Sequence, residues 1–196
     1  MNPEPAAGPP GPPALFDPPV VGPRPVLGRA ALLSPCGRYR YELTRRWATG
    51  PLVGWVMLNP SRADAHLDDP TVRRCVGFAR RWGYGGLIIR NLYALRATDP
   101  AALSTDPDPV GPDNDAHLSR CGEQDLTVIA WGARGADRAR VVLSLLAAHG
   151  VRPHQLGVTA DGQPRHPLYL RGELTPTPRD EPAPPVDDPT PRGGAR

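Results

Sequence analysis

The strongest constraint on the fold is a repeat of one pattern. Three short, almost purely apolar runs, "LVGWVML" (52–58), "LIIRNLYAL" (87–95) and "LTVIAWG" (126–132), are separated by segments of helical or polar character. A run that is apolar at consecutive positions suits a strand covered on both faces, as in a parallel sheet. Between the first two runs, "PTVRRCVGFARRWG" puts Val72, Cys75, Val76 and Ala79 on one helical face. Asp69-Pro70 supplies an N-cap and a first helical residue, and Gly83 and Gly85-Gly86 a stop. After the third run, residues 136–150 predict a helix whose stripe is Val141, Leu145 and Ala148, joined by Val142 and Leu146. "RPHQLGVT" predicts a fourth, short strand, and "HPLYL" closes the domain.

This alternation predicts an α/β fold, a three-layer α/β/α sandwich with a mainly parallel central sheet of about four strands. "RYRYELTRRW" alternates, with Tyr39, Tyr41 and Leu43 on one side, and predicts a half-exposed antiparallel edge strand at the N-terminal end. The turn "ATGP" would pair it with 52–58. The long connection after Leu95 predicts one short helix after Asp99-Pro100 and another from Asn114 to Cys121.

Proline divides the chain. Of 28 prolines, most lie in 1–27 and 175–196, which lack hydrophobic periodicity. Both segments are predicted to be disordered tails around a domain at 28–174. The basic residues are all arginine, and the net charge of +3 is compatible with nucleic acid without requiring it. Three widely spaced cysteines, Cys36, Cys75 and Cys121, fit reduced thiols rather than a disulfide framework, a zinc site or an iron–sulfur cluster. No basic segment precedes an apolar core at the N-terminus, and no apolar run approaches membrane-spanning length. The expectation is a cytoplasmic protein without membrane association.

In parallel sheets, sites form beyond the carboxyl ends of the strands. Those ends carry Asn59-Pro60-Ser61, Asn91-Leu92-Tyr93, Trp131-Gly132-Ala133 and His166-Pro167. The set offers two amides, an imidazole and a hydroxyl. It contains no G-x-S-x-G nucleophile, and "GYGG" precedes a strand instead of opening a helix, so no phosphate loop is present. Asp64, His66, Asp68 and Asp69 form a candidate metal set on one loop, but Asp69 suits helix capping better. An asparagine amide presents one acceptor and a donor pair in a fixed plane, which matches the edge of a pyrimidine. Taken singly, an asparagine more often ties a loop to backbone groups.

"LNPS", then "LIIRNLYALRATDP", "VIAWGARG" and "RHPLYL" resemble the motif order of the uracil-DNA glycosylase superfamily over about 53–170. That resemblance implies a glycosylase-like α/β fold that binds a flipped-out base, with no cofactor and no metal. It implies that Asn59 positions a water, that Asn91 reads the base, and that His166 donates a hydrogen bond to the departing base. Around them, Asp64 would assist electrostatically, Ser61 would line the substrate site, and Tyr93 would stack on the base. Arg96, with Arg62 and Arg165, would meet phosphates. The implied partner is DNA or another nucleobase-containing ligand. Two positions depart from the pattern: Met57 stands where that family carries glycine, and Leu168 where it carries a phosphate-holding serine. These departures favour a second reading, a non-catalytic module that binds a base, nucleotide or nucleic acid. "MLNPSRADAHLDDPTVRRCVGFARRWGYGG", "NLYALRATDP" and "DPVGPDND" also resemble the signature of an uncharacterised bacterial and phage family, a domain of unknown function.

Overall fold

A computed structural model describes residues 27–179. Of the tails expected at 1–27 and 175–196, residues 1–26 and 180–196 lie outside the described residues. The strands are β1 (Gly28–Leu33), β2 (Arg40–Arg46), β3 (Leu52–Met57), β4 (Gly86–Asn91), β5 (Leu126–Ile129), β6 (His154–Gln155) and β7 (Thr177–Pro178). The helices are α1 (Pro70–Arg81), α2 (Ala102–Thr105), α3 (Asn114–Leu118) and α4 (Ala136–Ala148).

The protein is α/β, and its sheet is larger than the sequence suggested. Seven strands form one mixed sheet in the order β1-β2-β4-β3-β5-β6-β7. The parallel centre is β4-β3-β5-β6, with antiparallel pairs β1-β2, β2-β4 and β6-β7 at the two sides. The expected hairpin between β2 and β3 is absent. β4 lies between them, pairing Leu43 with Ile89 on one side and Trp55 with Ile89 on the other. The turn at 48–51 is close to both strands in sequence, but a parallel β3-β4 pair joined through α1 buries both apolar runs more completely. β7 pairs with β6, so ordered structure continues past Leu174, where the sequence reading closed the domain.

Each face of the sheet carries its own core. On one face α1 packs Val72, Cys75, Phe78 and Ala79 against Leu43, Val53, Trp55, Leu87 and Ile89. Asp69 caps that helix as expected: its Oδ1 accepts the Val72 N–H at 2.8 Å, and Pro70 fills the first turn. On the other face Leu118, Cys121, Ala139, Val142 and Leu146 cover Val56, Leu92 and Ile129. The buried stripe of α4 is therefore Ala139, Val142 and Leu146, while Val141 and Ala148 are exposed. The segment "VVLSLLAA" is apolar nearly all round, so periodicity alone left its rotation open.

β2 is not half-exposed. Arg40 and Arg45 are each 3 % exposed. Arg45 Nε donates to Asp68 Oδ1 at 2.8 Å, which anchors the loop before α1 to the sheet. On the opposite face buried Arg90 donates to Glu42 Oε1 and, at 2.6 Å, to Gln124 Oε1. These pairs satisfy charges that would otherwise be costly to bury. No helix among the described residues is long and apolar enough to cross a membrane.

Candidate functional site

The carboxyl ends of β3, β4 and β5 open onto one cleft of about 660 Å³, a size suited to a small ligand. Asn59 and Ser61 enter it after β3, Asn91 at the end of β4, and Trp131 and Arg134 after β5. The 166–169 segment adds His166, Leu168 and Tyr169, and the start of α1 adds Asp69 and Thr71. Four sequence-predicted residues, Asn59, Ser61, Asn91 and His166, thus share one hollow although up to 107 residues separate them (59 to 166).

The other three predicted residues lie elsewhere. Asp64 does not line the cleft; its Oδ1 accepts the N–H groups of His66 and Leu67 at 2.8 Å, which closes a local turn and holds its carboxyl below the usual range. Tyr93, partly buried, packs against the α4-side core, and burial raises its hydroxyl pKa. Arg96 lines a neighbouring hollow. The candidate metal set finds no shared centre. Asp64 is engaged in its turn, Asp68 accepts from Arg45 and Arg29, and Asp69 caps α1. No group of three or more metal-ligating side chains occurs among the described residues.

Hydrogen bonding assigns a role to each end of the two amides. Asn59 Nδ2 donates to Pro60 O at 3.0 Å and to Ala97 O at 2.8 Å. Both of its N–H groups are engaged, so its oxygen is the atom left for a ligand or water. That amide also clips the β3 exit to the β4 exit, and Ala97 N–H returns the tie by donating to Pro60 O at 2.9 Å. Asn91, 2 % exposed, is oriented the other way. Arg40 Nη2 donates to its Oδ1 at 3.4 Å. Arginine is a donor only, so the amide must turn its oxygen toward Arg40, which leaves Nδ2 as the free donor pair. Asn114, wholly buried, donates through Nδ2 to the carbonyls of Asn91 and Leu92 and secures this strand end from below.

His166 is equally defined. Its Nδ1 accepts the Leu168 N–H at 3.4 Å, so in the neutral ring the proton sits on Nε2. Burial pushes its pKa below the ordinary histidine value, with Asp69 pulling weakly the other way. The ring is thus a neutral N–H donor at pH 7. Gly132 sits against it at φ +76° and ψ −167°, a backbone region essentially restricted to glycine, and its N–H donates to Pro164 O at 2.8 Å.

Two cleft residues, Arg40 and Tyr169, carry no signal of their own in the sequence that marks them for a site, and a third, Asp69, has a place in the cleft that its sequence context does not show. Arg40 was assigned to an exposed strand face, because a charged residue in an alternating strand ordinarily faces water. Asp69 is the helix cap that its sequence context predicts, and it is also the carboxylate lining the cleft, with no hydrogen-bond donor to its Oδ2 among the described residues. Tyr169, 86 % exposed at the rim, was folded into a closing segment; the adjoining His-Pro was the available signal.

A family model described as a protein of unknown function (DUF1643) matches residues 40–168, which is 129 of the 196 residues. No curated protein and no solved structure matches the chain.

Proposed function

The chain belongs to the DUF1643 family, and we propose that its cleft binds a flipped nucleobase and hydrolyses the N-glycosidic bond that holds it. One observation carries this reading: Asn59, Asn91 and His166, from three separate strand ends, line the same hollow. Helices on both faces of the sheet and the order of these motifs support a relationship to the uracil-DNA glycosylase superfamily.

The chemistry follows from the free atoms. The Asn91 Nδ2 donor pair hydrogen-bonds an acceptor on the base edge, most simply an exocyclic carbonyl. As the bond from the sugar C1′ to the base nitrogen breaks, the bonding pair leaves with the base, and charge collects on its carbonyl oxygens. His166 Nε2–H donates to that charge, as a donor does in an oxyanion hole. Its neutrality suits this role, because the transition state is stabilised by a fixed dipole without proton transfer. A water oriented by the Asn59 oxygen adds to C1′, and its proton passes to Asp69 Oδ2 or to solvent. The flipped base is contained by side chains that line the same hollow, among them Trp131 after β5 and Leu168 of the 166–169 segment.

The test is base release. The protein is incubated with single- and double-stranded oligonucleotides bearing uracil, hypoxanthine or xanthine, and abasic sites are revealed by alkaline cleavage. Release is expected with at least one base and is expected to fall about 10²- to 10³-fold in His166→Asn. Absence of abasic sites on every substrate would refute the catalytic reading. A second reading, a base-binding module without turnover, draws on Asp69: the carboxylate lining the cleft already serves as a helix cap. Binding of uridine that is lost in Asn91→Ala, together with no release, would favour that module.

A further inference from the structure

Beside the cleft lies a second hollow of about 340 Å³, lined by Gly37, Arg38, Ser61, Arg62, Arg96 and Thr98, with Ala97 between. Ser61, Ala97 and Thr98 line both hollows. The two are therefore separated by one low saddle, built where the Asn59 amide and the Pro60 carbonyl clip the β3 exit to Ala97. The cleft side of this saddle is mixed and partly apolar. The far side carries three guanidinium groups and no acidic lining residue.

The charge there is only partly answered. Arg38 pairs with Asp106. Arg96 gives Nη1 to the Gly37 carbonyl at 3.1 Å, while its buried Nε has no partner. Arg62 is exposed and has no hydrogen bond or ion pair among the described residues. The carboxylate of Asp64, close enough to feel the Arg96 charge, is engaged by two backbone N–H groups. Arg62 thus lines this concavity with no acceptor of its own among the described residues, and Arg96 lines it with a backbone carbonyl as its one partner. An anion held between two guanidinium groups gains charge-assisted hydrogen bonds, and none of the lining residues is acidic to compete for them.

We infer that this hollow is a phosphate subsite, and that the ligand of the protein is a nucleotide whose base lies in the cleft and whose phosphate lies across the saddle on Arg62 and Arg96. The inference rests on the base-binding reading of the cleft and extends it to the phosphate. Ser61 and Thr98, on the saddle, supply hydroxyl donors for the phosphate oxygens nearest the sugar. The phosphate belongs either to a free nucleotide or to a phosphodiester in a strand, and both present the same oxygens.

The test measures binding of four probes to the full chain by calorimetry: uridine, uridine 5′-monophosphate, a uracil-centred trinucleotide, and inorganic phosphate. A phosphate-bearing probe is expected to bind about tenfold more tightly than uridine. The gain is expected to shrink with added salt and to vanish in Arg96→Gln. Arg62→Gln, at an exposed position that the fold does not use, repeats the test should Arg96→Gln fail to fold. Gain with the monophosphate points to a free nucleotide, and gain with the trinucleotide alone points to a strand. Equal affinity for uridine and both phosphate-bearing probes overturns the subsite while leaving base binding intact. A gain that survives both substitutions also overturns it. If inorganic phosphate binds and Arg62→Gln abolishes it, but uridine does not bind, the hollow stands as an anion site and the base reading falls.

Discussion

Arg40→Met separates what Arg40 does for the fold from what it does for the cleft. Burial lowers the Arg40 pKa from its ordinary value to about 10, which corresponds to roughly 3 kcal/mol for keeping the charge in place. No carboxylate forms an ion pair with it among the described residues, and its Nε is unpartnered. Methionine removes that cost and fills similar space. It also orphans two buried acceptors, Ala63 O, now served at 2.7 Å, and Asn91 Oδ1. Each orphan costs about 1–3 kcal/mol. The sum runs from a gain of about 1 to a loss of about 3 kcal/mol, so the variant should fold with a modest change in stability. The cleft should change more. Without Arg40 the Asn91 amide loses the hydrogen bond that fixes its oxygen away from the ligand, so its contact with the ligand is no longer held in place. Affinity for uridine should fall about tenfold, the value of one ordinary hydrogen bond. Urea unfolding gives the first quantity and calorimetry the second. A stability loss above about 4 kcal/mol with uridine affinity unchanged would refute the argument, because Arg40 would then be a fold residue with no hold on the amide.

Two further outcomes are expected. Gly132→Ala, which forces a Cβ into a glycine-only backbone conformation beside His166, should destabilise the protein by about 1–3 kcal/mol in urea unfolding; a neutral result would mean that the 132–135 turn relaxes freely. His166 gives a pH signature: its folded pKa lies below the ordinary value near 6.5, so the unfolded chain binds the proton more readily. Its stabilising effect is therefore complete above about pH 6.5 and is lost as pH falls from there through the folded value. The stability difference between the protein and His166→Asn should shrink on acidification over that window, and a constant difference would contradict it.

The strand ends were legible because their signal is local. An apolar run that stops at Asn59 or Asn91 announces both a buried strand and the point where it leaves the sheet, and the cap at Asp69-Pro70 announces the helix that follows. Strand order was less legible. Nothing near "ATGP" reveals that β4 will slip between β2 and β3, since that choice depends on how much apolar surface a distant parallel partner buries. The same limit hid Arg40, whose burial comes from residues 63 and 91, far away in sequence. The rotation of α4 was hidden by an excess of signal, because a helix apolar on nearly every side fits several faces equally well. Asp64 lies outside the cleft lining for a simpler reason: a short acidic side chain next to free backbone N–H groups satisfies itself locally before it can reach a neighbouring hollow.

The walls of the cleft are contributed by positions running from Arg40 to Tyr169. A chain truncated before residue 166 would lack His166, Leu168 and Tyr169, so one wall of the cleft is supplied only by the last quarter of the sequence. That wall meets the sheet through contacts between residues far apart in sequence, the class of contact that forms slowly in folding.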